Sequence, residues 1–327
     1  MNEDLLYYPY INVPKEGWTI KSTLYFNSVS TITPYELINN PSFYNNETKD
    51  YFDSGLLKPL LPSETGINIY QVNKQIIDII NLDSFNLEKR QKRFAADKVG
   101  RIHKQKFTHE IFAILKNLKL CTTQHYAGWY YVEKHTANLM MVYLTLAISS
   151  HLKLTPSTDQ KYNLGKLFSG DYTINKKQIN KVILNEILPY PKDATPFSIA
   201  RFKEKYYDSL VEFRNFINEE ARKLGLIEDL EIRKEELNKR IKDIIERRDY
   251  ITAKMNESKF KKVVQSSYVP VVVTGSLMMY FETLVPLLGL GINSVGSYAL
   301  LNIKGDKIPG EPLNYLGLID KKLTYGT

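Results

Sequence analysis

Few residues in this sequence have the types and spacing that chemistry requires, and each arrangement departs from a known kind of site. His109-Glu110 begins like the helical motif of zinc proteases, but Ala113 stands where a second histidine would place two metal ligands on one helix face. Cys121 is the single cysteine, so a cluster of thiolate ligands for structural zinc is excluded. Cys121 and His125 can act as nucleophile and base only if the fold brings them within hydrogen-bonding distance. We therefore expect no metal site, no cofactor and no catalytic residue.

The glycine-rich stretches do not form a phosphate-binding loop either. Gly289-Leu290-Gly291 lacks the lysine and the hydroxyl residue that follow in a Walker motif, and the glycines from 291 to 296 follow no predicted dinucleotide-binding strand. An enzyme is accordingly the third of three hypotheses, and no residue is assigned to catalysis.

Basic residues dominate positions 87 to 120, where ten lysines and arginines stand against three acidic residues. If these cations share one face, they can neutralise several phosphates, and binding to nucleic acid would then weaken steeply with salt. The alternative is a solvated helix face without a ligand, which is the simpler interpretation of a single basic helix. The candidate nucleic-acid contacts are Lys89, Arg90, Lys92, Arg93, Arg101 and Lys104.

Net charge and cysteine content bear on the partners and on the cellular compartment. The 327-residue chain has a formal net charge of +8, which favours an acidic partner such as nucleic acid or a lipid surface. A single cysteine agrees with a reducing compartment. The first residues lack the basic region and the apolar run of a secretory signal. We expect a cytoplasmic protein that associates with a membrane only on activation.

A charged helical hairpin is predicted for residues 196 to 262, with a break near Gly225, and a single bent helix is the alternative. In its second half, apolar residues recur every seven positions within a dense mixture of both charges, which is the pattern of a coiled-coil seam. One narrow face should therefore pack while the rest stays solvated. The seam residues, expected to contact a second copy of the chain or another protein, are Leu230, Leu237, Ile241, Ile244 and Ile251.

The stretch after the hairpin is almost free of charge. Residues 263 to 281 and 283 to 303 contain no charged side chain, and Glu282 separates them. Prolines and glycines divide both runs, and a charged residue costs roughly 2.5 to 3.5 kcal/mol at the centre of a bilayer, so a constitutive membrane anchor is disfavoured. The interpretations that remain are burial, in the core of a soluble domain or in an oligomer interface, and an apolar effector segment that is sheltered at first and later enters a membrane. The residues expected to act in that segment are Val273, Gly275, Glu282, Leu288 and Gly291.

These patterns together predict an α+β fold that is mostly α-helical. Residues 1 to 65 read as a small α/β unit, in which a strand, a helix and a second strand over residues 5 to 34 could seed a parallel sheet. Residues 66 to 195 are predicted to form a helical bundle, with the basic stretch as one long helix or a pair of helices. The charged hairpin (196 to 262) and an apolar, glycine-containing C-terminal region (263 to 327) complete the four predicted domains.

A set of short stretches, spread over most of the chain, is distinctive by its order and spacing. The stretches are Leu6-Tyr7-Tyr8-Pro9-Tyr10-Ile11, the Trp18 helix, Gly55-Leu56-Leu57-Lys58-Pro59, Leu146-Ala147 followed by Pro156-Ser157-Thr158-Asp159, Phe213-Arg214, and Pro312-Leu313-Asn314-Tyr315-Leu316. Together they resemble a bacterial protein family of unknown function. The resemblance implies a bacterial cytosolic protein with a glycine-bearing apolar segment near its end, and it carries over no activity and no site residue.

The preferred hypothesis from the sequence is a non-enzymatic bacterial assembly or effector protein, with antiviral defence against phage as the biological role considered. The hairpin would bind a second copy or a protein partner, and the apolar segment would act on a membrane when a ligand or partner shifts the conformational state. The alternative is a nucleic-acid-binding or sensor subunit that uses the basic residues 89 to 119.

Overall fold

The computed structural model describes residues 4–14, 17–38, 40–123, 128–159, 183–256, 307–308 and 310–324. The chain folds into two compact units, the first comprising Met1–Asp171 and Thr195–Arg201 and the second comprising Tyr172–Ala194 and Phe202–Thr327. Helices predominate and small parallel and antiparallel sheets accompany them, so the predicted α+β, mostly α-helical fold class is confirmed.

The first unit begins with the predicted strand, helix and strand. Strand β1 (Leu5–Tyr7) is buried at every position, helix α1 (Gly17–Tyr25) follows, and strand β2 (Val29–Ile32) pairs with β1 in parallel. Fully buried parallel strands are short apolar runs without alternation. Leu5–Tyr7 is such a run, whereas Val29–Ile32 is marked by its β-branched residues, which favour a strand. The predicted parallel sheet is confirmed.

Two short helices lead to a third parallel strand. Helices α2 (Tyr35–Ile38) and α3 (Asn46–Asp53) precede strand β3 (Leu57–Leu60), which pairs with β2. Asn45 caps α3, because its side-chain oxygen accepts a hydrogen bond from the Thr48 backbone N–H at 2.7 Å.

Four longer helices form most of the remaining first unit. They are α4 (Ile69–Ile80), α5 (Leu87–Ala95), α6 (His109–Asn117) and α7 (Lys134–Leu152). Helix α7 is apolar nearly all round and lies in the main core with α4 and α6. The basic stretch forms the predicted pair of helices, α5 and α6.

A three-stranded antiparallel sheet interrupts this helical region. The sequence patterns do not predict this sheet. Strands β4 (Val99–His103), β5 (Cys121–Thr123) and β6 (Trp129–Glu133) pair in the order β4-β6-β5. Residues 129 to 133, which fall within the predicted helical bundle (66 to 195), form a strand that leads directly into α7. Strands this short leave too few alternations for a period of two to stand out.

A fourth parallel strand, β7 (Thr155–Ser157), pairs with the free side of β1. The parallel sheet therefore has the strand order β3-β2-β1-β7. Its strands lie beside the core that contains Leu6, Ile32 and the apolar side chains of α4 and α7.

The second unit contains the predicted helical hairpin. Helix α8 (Pro196–Lys205) begins in residues of the first unit and ends in residues of the second. Helices α9 (Tyr207–Gly225) and α10 (Leu230–Asn256) follow, and α11 (Asn314–Ile319) continues into a π-helical turn, Asp320–Thr324. The break falls at the predicted glycine, where α9 ends.

An ion pair joins the two arms of the hairpin. Glu220 of α9 is buried, and its Oε2 lies 3.0 Å from Arg240 Nε of α10. Its other oxygen, Oε1, accepts a hydrogen bond from Lys223 Nζ at 3.1 Å. A buried carboxylate requires such partners, because its desolvation is costly when it is unpaired.

The heptad positions of α10 are buried within a single chain. Leu237, Ile244 and Ile251 are 6%, 1% and 1% exposed. Helix α11 packs against α10 at Gly317, where an added Cβ would lie 2.9 Å from Ile251 Cγ2 and 2.8 Å from Met255 Sδ. Glycine therefore permits a close approach that any larger residue would obstruct.

Two seam residues remain, and the structure describes the side chain of one of them. Ile241 is half-buried, and the side chain of Leu230 lies outside the described residues. The expected contact of the seam with a second copy or a partner protein stays a prediction.

Candidate nucleic-acid interface

Helix α5 carries the densest group of basic residues, and its ends explain why it forms. The Asn86 side chain accepts a hydrogen bond from the Lys89 backbone N–H at 3.1 Å and so caps the first turn. Glu88 lies in the first turn and Lys92 and Arg93 lie in the last, where each charge interacts favourably with the helix dipole. No residue of α5 is fully buried, so the helix presents its charged side chains to solvent.

A surface groove of about 430 Å³ lies beside α5, and we call it the α5 groove. One carboxylate, one amide and four cationic side chains surround it. The lining residues are Asn86, Glu88, Lys89, Lys92, Arg93, Ala96 and Lys98. This excess of cations suits a ligand with several negative charges, such as a chain of phosphates.

Two of the groove's cations have acidic partners. Lys92 pairs with Glu88, and the hydrogen bond from Lys92 lowers the pKa of the Glu88 carboxyl below its usual value. Both side chains are exposed, and exposed pairs contribute little, so a phosphate can compete for Lys92. Arg93 faces a buried carboxylate instead. Lys89 and Lys98 make no ion pair within the part of the chain that the structure describes.

Glu133 holds α5 against the antiparallel sheet. Its Oε1 lies 3.5 Å from Arg93 Nε, and the carboxylate is fully buried. Its Oε2 accepts hydrogen bonds from the backbone N–H and the hydroxyl of Thr136 at 2.8 and 2.9 Å, which caps α7. Because Glu133 ends β6 and precedes α7, one carboxylate links the groove, the sheet and the central helix.

The outer face of the antiparallel sheet carries aromatic and basic side chains. Residues two apart share one face of a strand, so Trp129, Tyr131 and Glu133 of β6 lie on the same face. At about 3.3 Å per residue, Tyr131 and Trp129 lie roughly 7 and 13 Å from Glu133 along the strand. Arg101 pairs in register with Tyr131, and its guanidinium carbon lies 5.9 Å from the Trp129 ring centroid. We call this surface, completed by Thr122 opposite Tyr131, the aromatic face.

The structure brings four of the six predicted nucleic-acid contacts to these two surfaces. Lys89, Lys92 and Arg93 line the α5 groove. Arg101 is exposed on the aromatic face. The predicted set thus divides into residues suited to phosphates and one residue beside aromatic rings.

The other two predicted contacts are engaged elsewhere in the first unit. Arg90 is half-buried, its Nε donates to the Phe85 carbonyl at 3.3 Å, and its guanidinium carbon lies 5.8 Å from the Phe85 ring centroid. Lys104 Nζ lies 3.0 Å from Glu36 Oε1. Glu36 also lies 3.4 Å from the Nε2 atom of the buried His103.

Local sequence patterns do not identify Lys98, Trp129 and Tyr131 as parts of the site. Lys98 lies in the basic stretch but three residues after α5 ends, so helical spacing says nothing about it. The two aromatic residues share a face only because residues 129 to 133 form a strand. The sequence signal that could have shown this is the run Trp129-Tyr130-Tyr131-Val132, because aromatic and β-branched residues in succession favour a strand.

Burial suppresses the chemistry considered for Cys121. The side chain is buried, and burial raises the pKa of its thiol to about 12. Nucleophilic attack requires the thiolate, so this environment is unfavourable for it. His125 lies outside the described residues. Among the described residues, no group of three or more histidine, cysteine, aspartate or glutamate side chains is arranged to hold a metal ion.

We expect Cys121 to resist the thiol reagent DTNB in the native protein near neutral pH and to react fully in denaturant, because only unfolding exposes the thiol and restores its ordinary pKa. The measurement is the rate of thionitrobenzoate release with and without denaturant. Equal rates in both conditions would show that the thiol is accessible and ionised in the folded chain.

The predicted effector segment lies outside the residues that the structure describes. Its expected members are Val273, Gly275, Glu282, Leu288 and Gly291. Within the described ranges, every helix is too short or too polar to cross a bilayer. The action of the apolar segment on membranes stays a prediction.

No protein-family model, no curated protein and no solved structure matches this chain. The α5 groove and the aromatic face are therefore the features that bear on its function.

Proposed function

We propose that the first unit binds single-stranded nucleic acid, with phosphates in the α5 groove and bases on the aromatic face. The observation that carries this proposal is the composition of the groove, in which four cations and one exposed carboxylate surround a single cavity. Such a surface binds a chain of phosphates largely through the release of counterions, whatever the base sequence.

The aromatic face favours a single strand over a duplex. Trp129 and Tyr131 are both half-buried. Trp129 also packs edge-on against the buried His103, with ring centroids 5.1 Å apart. Tyr131, which is paired with the exposed Arg101 and Thr122, is the ring better placed for a base. Unpaired bases stack on such rings with about 1 to 3 kcal/mol per base. The bases of a duplex are already stacked on each other, so a duplex would use the groove alone.

The distances support simultaneous use of both surfaces. Arg93 in the groove contacts Glu133, and Tyr131 and Trp129 follow along the same strand face at roughly 7 and 13 Å. One short segment of nucleic acid can therefore place its backbone against α5 and its bases against β6. The competing interpretation is a solvated basic helix without a ligand, which gives no role to the groove or to the two aromatic rings.

Replacement of Lys89, Lys92 and Lys98 together by glutamine should weaken binding and lower its salt dependence. Each lost phosphate contact reduces the slope of log K against log salt by about 0.7 for a single strand, so the triple variant should lose about 2. Tyr131→Ala should cost about 1 to 3 kcal/mol of binding free energy and leave the slope unchanged. Fluorescence anisotropy with a labelled oligonucleotide of about 12 nucleotides, from about 50 to 200 mM salt, measures both quantities.

Lys74→Gln is the matched control, because Lys74 is an exposed lysine on α4 of the same unit and lies outside the groove. Lys74→Gln should leave the affinity and the salt slope close to those of the wild type, because it removes one charge at a distance from the bound phosphates. Absence of binding to single-stranded DNA and RNA at low salt would refute the proposal. A duplex that binds as tightly as the single strand would remove the role of the aromatic face.

A further inference from the structure

The carboxyl edge of the parallel sheet is a second place where the architecture favours a ligand. All three strand pairings are parallel, in the order β3-β2-β1-β7. The chain moves outward from β1 through β2 to β3, and β7 is then added on the opposite side of β1. In open parallel sheets, ligands bind outside the carboxyl ends of the strands where the strand order reverses. Here the order reverses between β1 and β7.

The connecting helices occupy both faces of the sheet, which is what opens a crevice at such a reversal. Trp18 of α1 packs against Tyr7 of β1, with ring centroids 4.8 Å apart. Leu6, the preceding residue, lies in the core shared with α4 and α7. Successive side chains of a strand point to opposite faces, so α1 covers one face and α7 covers the other.

A carboxylate is fixed in place at this edge. Tyr7, the last residue of β1, donates its hydroxyl to Asp159 Oδ1 at 3.0 Å. Asp159 follows β7 by two residues and is exposed, whereas Tyr7 is 1% exposed. Burial, together with the Asp159 carboxylate, raises the pKa of the Tyr7 hydroxyl, which therefore remains a donor. The Tyr7 phenol orients the carboxylate without being accessible itself.

The carboxylate keeps most of its hydrogen-bonding capacity, and two aromatic side chains lie near the Tyr7 phenol that orients it. A carboxylate can accept about four hydrogen bonds. Among the described residues, the hydrogen bond that Asp159 accepts comes from Tyr7. Trp18 is half-buried and Tyr10 is 53% exposed, so both can offer ring surface to a ligand. Directly after β1, the buried hydroxyl of Tyr8 has no hydrogen-bond partner in the described chain.

We propose that this edge binds the vicinal diol of a sugar ring, either free or as the ribose of a nucleoside. Two adjacent hydroxyls donate to the Asp159 carboxylate, and the apolar C–H face of the ring packs on Trp18 or Tyr10. An organic cation would suit the same carboxylate and rings. The formal net charge of +8 opposes the approach of a cation and does not act on a neutral sugar, so the diol is the better match.

The test compares adenosine, D-ribose and 2′,3′-dideoxyadenosine by saturation-transfer NMR and calorimetry with the full chain. Adenosine and ribose should bind, and loss of the diol should weaken adenosine at least about tenfold, as expected when hydrogen bonds to a charged group are lost. Asp159→Asn should weaken adenosine and ribose by a similar factor and leave the melting temperature unchanged, because Asp159 is exposed.

Asp78→Asn is the matched control, since Asp78 is an exposed aspartate on α4. It should bind adenosine as the wild type does, and so should the triple α5-groove variant, because adenosine carries no phosphate. Equal affinities for adenosine and its dideoxy analogue, unchanged affinity in Asp159→Asn, or no binding of adenosine and ribose would overturn the proposal. Tight binding of choline that depends on Asp159 would overturn the diol assignment and indicate an organic cation.

Discussion

Lys106→Met is expected to stabilise the first unit by on the order of 4 kcal/mol near pH 7. Lys106 is 3% exposed and lies in the turn Lys104–Lys106 that follows β4. The partner of its ammonium group within the described residues is Met141 Sδ at 4.0 Å, a weak acceptor. Methionine retains a long apolar side chain and removes the amine, so the fold no longer has to desolvate a charge.

The stabilisation should depend on pH in a defined direction. Burial lowers the pKa of Lys106 from 10.5 to about 7 in the folded chain. Below pH 7 the amine is protonated in the folded and the unfolded chain, so the cost of burying the charge is present in full. Above pH 7 only the unfolded chain holds the proton, and the stability of the wild type should rise by about 1.4 kcal/mol per pH unit until pH approaches 10.5.

Urea denaturation of the wild type and Lys106→Met over about pH 6 to 9 measures this effect. The difference in unfolding free energy should be largest at the acid end and shrink as pH rises. Lys74→Met, at an exposed lysine of the same unit, should change stability by no more than about 0.5 kcal/mol and leave the pH dependence intact. Parallel pH profiles for the wild type and Lys106→Met would contradict a neutral buried amine.

Ile244→Asp is expected to destabilise the second unit by at least about 4 kcal/mol, because it removes a buried apolar side chain and buries an unpaired carboxylate. Ile244 is 1% exposed within one chain and lies between two other buried heptad positions of α10, Leu237 and Ile251. Since this burial is already reached without a partner, the loss should appear as unfolding at every protein concentration.

Ile232→Asp provides the matched control for this prediction. Ile232 lies on the same helix but is 54% exposed, so its replacement should change stability by only about 0.5 kcal/mol. Thermal denaturation monitored by circular dichroism, together with light scattering over a range of concentrations, measures both effects. A melting temperature that depends on concentration in the wild type would show that the seam also joins two chains. Equal melting temperatures for the wild type and Ile244→Asp would contradict packing along the seam.

Local sequence patterns predict only part of the candidate interface. The sequence predicts helix for the basic residues 87 to 120, as one long helix or a pair, because charge density and helical spacing are local properties. The sequence does not predict strand β4 between α5 and α6. It does not predict the contact between Arg93 and Glu133, which joins residues 40 positions apart. Arg90 lies on the same short helix as Lys89 but packs on Phe85 instead of lining the groove. The surface that a helical side chain contacts can be predicted only when the neighbouring elements are known.

The sequence by itself determines the first two parallel strands, β1 and β2, and the two hairpin helices of this protein. An apolar run such as residues 5 to 7 and a heptad such as Leu237, Ile244 and Ile251 bury the same side chains in almost any compact arrangement. These signals are local because the period of a strand or helix is set by the backbone.

Only the tertiary structure decides where the polar groups meet. β7 has three residues, too few for any period, and its pairing with β1 brings Asp159 to Tyr7 across 152 positions of sequence. The burial of Lys106 likewise follows from the placement of the turn after β4 against α7. Such contacts follow from closure of long loops and from side-chain packing, neither of which leaves a periodic trace in the sequence.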